Sequence, residues 1–129
     1  MIPYFTLEDT TQDTAVNIIQ LTAKAIGPFV VKAGEEALYG PDNNIAVNKL
    51  SNPGGLLKDL HTGLIECLGL AGCHFMDLTY ALENYSTHIS HKDGRNIPTT
   101  TFVCNSLTIA QKLSKSVPNN KVILERIDL

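Results

Sequence analysis

Four histidines, three cysteines and thirteen carboxylates supply most of the acid, base and ligand chemistry open to this chain of 129 residues. His61, Cys67, Cys73, His74 and Asp77 fall in one stretch, GGLLKDLHTGLIECLGLAGCHFMDLTYALEN (residues 54–84), and His88, His91 and Asp93 follow it closely. Cys73 comes directly after Gly72. A thiol at a fresh helix start there would be acidified by the helix dipole and the unpaired amides. With His88 or His91 as base and Asp93 or Asn84 orienting the imidazole, Cys73 would be the nucleophile of a small Cys/His-dependent hydrolase or transferase. Against this, no local signature of a thiol-protease family is present, and cysteine is an ordinary interior residue.

The same donors do not spell a metal site. Structural zinc sites favour ligands two to four residues apart within each pair, and Cys67-x5-Cys73-His74 with His88-x2-His91 departs from that pattern. On one unbroken helix Cys67 and Cys73 would point roughly 120° apart. No metal and no cofactor is expected. His61 sits in the apolar arc between Leu57, Leu64, Ile65 and Leu68, where the plain reading is a core histidine with its hydrogen bonds satisfied. The sharper reading puts His61, with His74, against a ligand in a pocket between helices.

A third candidate is the turn Cys104-Asn105-Ser106, followed by Thr108. If a strand ends there and a helix begins, amides and hydroxyls would converge on an anion such as a nucleotide phosphate. Neither GxGxxG nor GxxxxGK[ST] accompanies it, and the same residues make an ordinary N-cap. The segment TFVCNSLTIAQKLSKSVPNNKVILERID resembles the strand, Asn-containing turn, helix and strand unit of small viral ring nucleases that act on cyclic oligoadenylate. The resemblance covers under a quarter of the chain, stands at the carboxyl rather than the amino end, and lacks that family's catalytic histidine region. It implies a nucleotide-binding or cyclic-nucleotide-cleaving alternative using Asn105, Ser106 and Thr108, and carries over no catalytic role.

The elements that must position these residues read as follows. Thr10-x-x-Asp13 opens a helix that runs to Ile26 and stops at Gly27-Pro28. Its polar residues Asp13, Asn17, Gln20 and Lys24 form a narrow stripe, and the remainder is apolar or small. Phe29-Val30-Val31 reads as a strand or, preferably, as the start of a second helix to Leu38; a loop over 40–55 with a short edge strand at Ile45 to Leu50 follows, and residues 54–84 read as one long helix or as two collinear ones broken at Gly69 to Gly72. In that long segment Leu57, Leu60, Leu64, Leu68, Ala71, Phe75, Leu78 and Leu82 stay in phase. Alternation from Tyr85 to Ser90, turn residues at Lys92 to Arg95 and strand formers from Ile97 to Cys104 suggest a β-hairpin. A strand, a helix over 107–115 and a last strand, Lys121 to Ile127, close the chain as a parallel crossover. The expected fold is α+β: two or three packed helices in residues 10–84, then a β-hairpin and a C-terminal strand-helix-strand unit in a small mixed sheet, all in one domain.

Composition narrows the function. Hydrophobic content of 43% and charged content of 18% mark a folding chain rather than a disordered one. A net charge of −3 with scattered basic residues argues against nucleic acid as partner. An odd cysteine count, and a start at Met1 to Asp13 without the basic and apolar regions of a signal peptide, point to the cytoplasm. No apolar run is long enough to span a membrane. The helices carry more apolar surface than a chain this short can cover. The sequence therefore points first to a small binding protein, a homo-oligomer that buries helix 10–26 and helix 54–84, with a protein or small-molecule ligand as partner.

Overall fold

The computed structural model describes residues 4–78, 81–82, 85–90, 100–112 and 121–129. Two helices and three antiparallel sheets make up the described chain, so the fold is mixed α and β. None of the described helices is long and apolar enough to cross a membrane.

Helix α1 (Gln12–Ile26) starts where Thr11 Oγ1 accepts the Thr14 amide at 3.2 Å, and ends at Gly27, whose φ of 74° is open to glycine. Ala15, Ile19 and Ala23, one face at four-residue spacing, are buried. Helix α2 (Leu56–Leu70) is started from outside: Asn52 Oδ1 accepts the Leu57 amide at 2.6 Å, and Asn52 Nδ2 donates to the Val30 carbonyl at 2.7 Å. Leu60, Leu64 and Leu68 form its buried ridge. The two helices pack closely at Gly63, where a Cβ would come within 3.3 Å of Thr22 Cγ2.

Strand β1 (Phe5–Leu7) pairs with β4 (Cys73–Phe75). Four strands, β2 (Phe29–Tyr39), β3 (Ile45–Ser51), β5 (His88–Ser90) and β6 (Thr100–Cys104), form a sheet in the order β5-β3-β2-β6. The third sheet is the hairpin of β7 (Ser106–Lys112) and β8 (Lys121–Asp128). One core joins them: Ala15, Ile19, Ala23, Leu60, Leu64 and Leu68 from the helices meet Phe29 and Val31 of β2, Cys73 of β4 and Ile127 of β8.

The arrangement departs from the expected one in five places. The short edge strand expected at Ile45 to Leu50 is β3, an interior strand paired with β2 on one side and β5 on the other. Residues 29–38 are strand rather than helix. Phe29, Val31 and Ala33 are buried while Val30 and Lys32 are exposed, and partner strands on both sides outweigh the helix propensity of Ala33 to Leu38. The long helix expected over 54–84 stops at Leu70, because Gly72 takes a φ of 103° and turns the chain back into β4. A Cβ at Gly72 would lie 2.9 Å from Asp9 Cβ and 3.0 Å from the Asp9 carbonyl oxygen, so the turn is closed tightly on the chain before α1. Residues 79–80 and 83–84 of the expected helix lie outside the described residues.

Strands β5 and β6 do not pair as a hairpin. They are the two opposite edges of the four-stranded sheet, β5 on β3 and β6 on β2. The expected turn at Lys92 to Arg95 lies outside the described residues. Finally, the expected helix from Leu107 is β7, and it runs antiparallel to β8, so there is no parallel crossover. Leu107 and Ile109, two residues apart, face the core together, a strand spacing that outweighs the helical spacing of Leu107, Ala110 and Leu113.

Candidate functional site

An open apolar groove lies where α2 ends. Gly72 sends the chain from the helix into β4, and β4 is held against β1 by the Asp9 amide on the Gly72 carbonyl (3.2 Å) and the Met76 amide on the Tyr4 carbonyl (3.0 Å). Phe5 and Phe75 meet across that pair with ring centroids 5.5 Å apart. This leaves a groove of about 470 Å³ between the last turns of α2 and the chain from Phe75 to Leu78. Ile65, Gly69, Leu70, Phe75 and Leu78 line it, with Glu66 as its single ionisable member. Gly69 adds no side chain to the floor, which is why a recess exists there.

Leu70 stands on the lip, 91% exposed, and Met76 and Leu78 are also exposed. Folding normally buries a leucine, to the benefit of about 1.5–3 kcal/mol. An exposed leucine beside an apolar recess is therefore a surface waiting for cover. The groove is open along its length, so a small guest would keep much of its surface in water, unlike the enclosed pockets that hold small ligands.

The residues picked out by their chemistry are dispersed. Cys73 is not at a helix start: it lies in β4 opposite Leu7, buried in the core, and burial pushes its thiol above the ordinary value. That is the reverse of what a thiolate nucleophile needs. His88 lies in a different sheet, exposed on β5, with Nδ1 2.8 Å from the Ser86 carbonyl oxygen and its ring edge-on to Tyr39. Tyr39 Oη is in turn 2.8 Å from Ser86 Oγ. Asn84, His91 and Asp93 lie outside the described residues.

His61 is buried on α2, and its ring stacks on Tyr85 with centroids 3.7 Å apart and planes 5° from parallel. Burial also pushes the Tyr85 phenol up. His74 is exposed on β4 opposite Thr6, whereas His61 is buried on α2. Asn105 joins β6 to β7 and its carbonyl accepts the Leu129 amide at 2.9 Å. Ser106 and Thr108 are strand residues opposite Asp128 and Arg126. With no helix following Asn105, the expected anion cradle at a helix N-terminus does not form. Among the described residues, no three His, Cys, Asp or Glu side chains gather closely enough to hold a metal ion.

Sequence reasoning missed Leu70. It falls outside the helical arc of Leu60, Leu64 and Leu68, and that was the available signal: a leucine out of phase, between Gly69 and Gly72, has no place in its own helix's buried face. No family model matches the chain, and neither a curated protein nor a solved structure does.

Proposed function

We propose that this protein works by association, and that a second copy of the chain covers the apolar groove at the end of α2. The observation that carries the reading is Leu70, 91% exposed on the lip of a recess lined by Ile65, Gly69, Phe75 and Leu78. A projecting side chain next to a recess of the same apolar character is self-complementary. Two copies related by a two-fold axis can each place Leu70 in the other's groove, as a closed dimer interface requires. Burying both leucines would contribute about 3–6 kcal/mol before the cost of association, from about 1.5–3 kcal/mol for each.

The other half of the expected interface draws less support, because α1 spends its apolar residues inside the molecule. Ala15, Ile19 and Ala23 are buried, Ile18 and Ile26 pack on the core, and Leu21 is left as the single large apolar residue on the outer face. The reading is therefore placed on α2 alone. Sedimentation velocity of the wild type and of Leu70→Glu tests it. The wild type is expected to sediment as an assembly at micromolar concentration, and the variant as particles of half the mass or less with unchanged circular dichroism. Equal masses for the two would remove the reading.

A further inference from the structure

Beyond the groove the chain continues between two anchors. At one the Met76 amide donates to the Tyr4 carbonyl at 3.0 Å; at the other Thr87 accepts the Leu50 amide at 3.0 Å and donates its hydroxyl to the Leu50 carbonyl at 2.7 Å. Between the anchors, Leu78 shares the groove wall with Ile65, and the Tyr85 ring lies flat on His61, one turn earlier in α2. Ala81, between those two contacts, is buried. Leu82 beside it is the strained point. Its φ of 55° is left-handed, a conformation that a bulky side chain rarely adopts and that persists only where neighbouring contacts impose it. Those contacts flank it: Ala81 with its amide on the Leu78 carbonyl at 3.1 Å, and the stacked Tyr85 with its amide on the Leu82 carbonyl at 3.2 Å. The stack and the strain oppose each other.

We infer that the chain carrying Leu78, Ala81, Leu82 and Tyr85 is a strap that opens as a unit, and that its closure by the Tyr85–His61 stack completes the α2 groove. In the open position Leu82 returns to an ordinary negative φ, Tyr85 leaves His61, and Leu78 leaves the groove wall. The anchors at Met76 and Thr87 stay in place, so the motion is a local opening rather than unfolding of the domain. A second copy that buries Leu78 binds the closed position and therefore favours closure. By the reciprocity of linked equilibria, the stack at His61 in turn strengthens assembly. This coupling rests on the reading of the groove as the surface that a second copy covers.

Amide hydrogen exchange reads the strap directly, because opening releases the Ala81 amide from the Leu78 carbonyl. In the Leu70→Glu background, where assembly does not contribute, Tyr85→Ala is expected to lower the protection of the Ala81 amide at least roughly tenfold and to leave the α1 amides unchanged. Leu82→Gly and Leu82→Ala form a second arm. Both remove the side chain, but glycine alone takes a positive φ without cost, so the glycine variant is expected to protect Ala81 roughly fivefold better than the alanine variant. At an ordinary φ the order would be reversed. The strap is overturned if Tyr85→Ala speeds the α1 and Ala81 amides alike, or if Leu82→Gly exchanges as fast as Leu82→Ala. Coupling has its own readout: raising the wild-type concentration should slow the Ala81 amide, and raising that of Leu70→Glu should not. A wild type that assembles with no change at Ala81 overturns the coupling. If the wild type and Leu70→Glu sediment alike, the groove reading and the coupling fall together, while the strap stands or falls on the exchange of its variants.

Discussion

Helices α1 and α2 have the same length, fifteen residues, and pack on each other, yet they treat their apolar side chains differently. In α1 the cap is local, Thr11 on Thr14, and the large apolar residues turn inward but for Leu21. In α2 the start is held by Asn52, a residue bonded to β2, and the far end carries Leu70 into solvent beside an apolar groove. The contrast separates two kinds of apolar residue. Those in phase with the buried ridge hold the fold, and those out of phase are free to serve another surface.

That contrast can be broken most severely on α2 itself. Leu64 is fully buried and Leu70 almost fully exposed, six residues apart. Leu64→Ala is expected to lower the unfolding free energy by about 2–5 kcal/mol. Leu70→Ala, measured on dilute protein, should stay within about 0.5 kcal/mol of the wild type. Denaturant titration of both variants checks this, and similar losses for the two would erase the distinction between ridge and lip.

The helix starts sharpen the comparison with a smaller effect. Thr11→Ala removes one capping bond and should cost about 1 kcal/mol. Asn52→Ala removes the bond to the Leu57 amide and the bond to the Val30 carbonyl together, so its cost should exceed that of Thr11→Ala by roughly another 1 kcal/mol. Hydrogen exchange should show the loss from Thr11→Ala confined to α1, and the loss from Asn52→Ala shared between α2 and β2.

The smallest effect is in the alkaline range. Burial raises the folded-state pKa of Cys73, Cys104 and Tyr85, so each group favours the folded state while it keeps its proton. That stability is fully present below the ordinary thiol and phenol values of the unfolded chain. It is lost as pH rises from those values through the folded ones, where the unfolded state ionises first. The thermal midpoint should therefore be flat at neutral pH and fall above the thiol range. Cys73→Ala should make that fall shallower, a difference that midpoints measured at closely spaced pH values would reveal. The exposed Cys67 thiol should react with iodoacetamide well before Cys73 at every pH in the range.

Local signals in the sequence located α1, the start of α2 and the strands at Ile45 to Leu50 and Lys121 to Ile127, but they assigned two strands, β2 and β7, to helix. Thr10 and Thr11 before α1 and Gly27-Pro28 after it bracket a helix whose fourfold spacing of Ala15, Ile19 and Ala23 is read directly. The segment Phe29 to Leu38 carries helix formers, and what makes it a strand lies elsewhere in the chain, in β3 and β6 on its two sides. Leu107 to Lys112 was misread for the same reason, since its partner begins nine residues after it ends. In the site, helical phase extended past Gly72 by coincidence: Phe75 and Leu78 fit the arc of Leu60 to Leu68, but a positive φ at Gly72 puts them across a groove from it. The reactive side chains were legible as residue types and not as a constellation, because their proximity depends on that turn and on sheet order.

The central claim, that another copy of the chain covers the end of α2, is tested most directly by isotope-filtered nuclear Overhauser spectroscopy on a mixture of labelled and unlabelled protein. The account expects methyl contacts between copies linking Leu70 to Ile65, Met76 or Leu78. A fully assembled sample in which these methyls show contacts only within their own chain would contradict it.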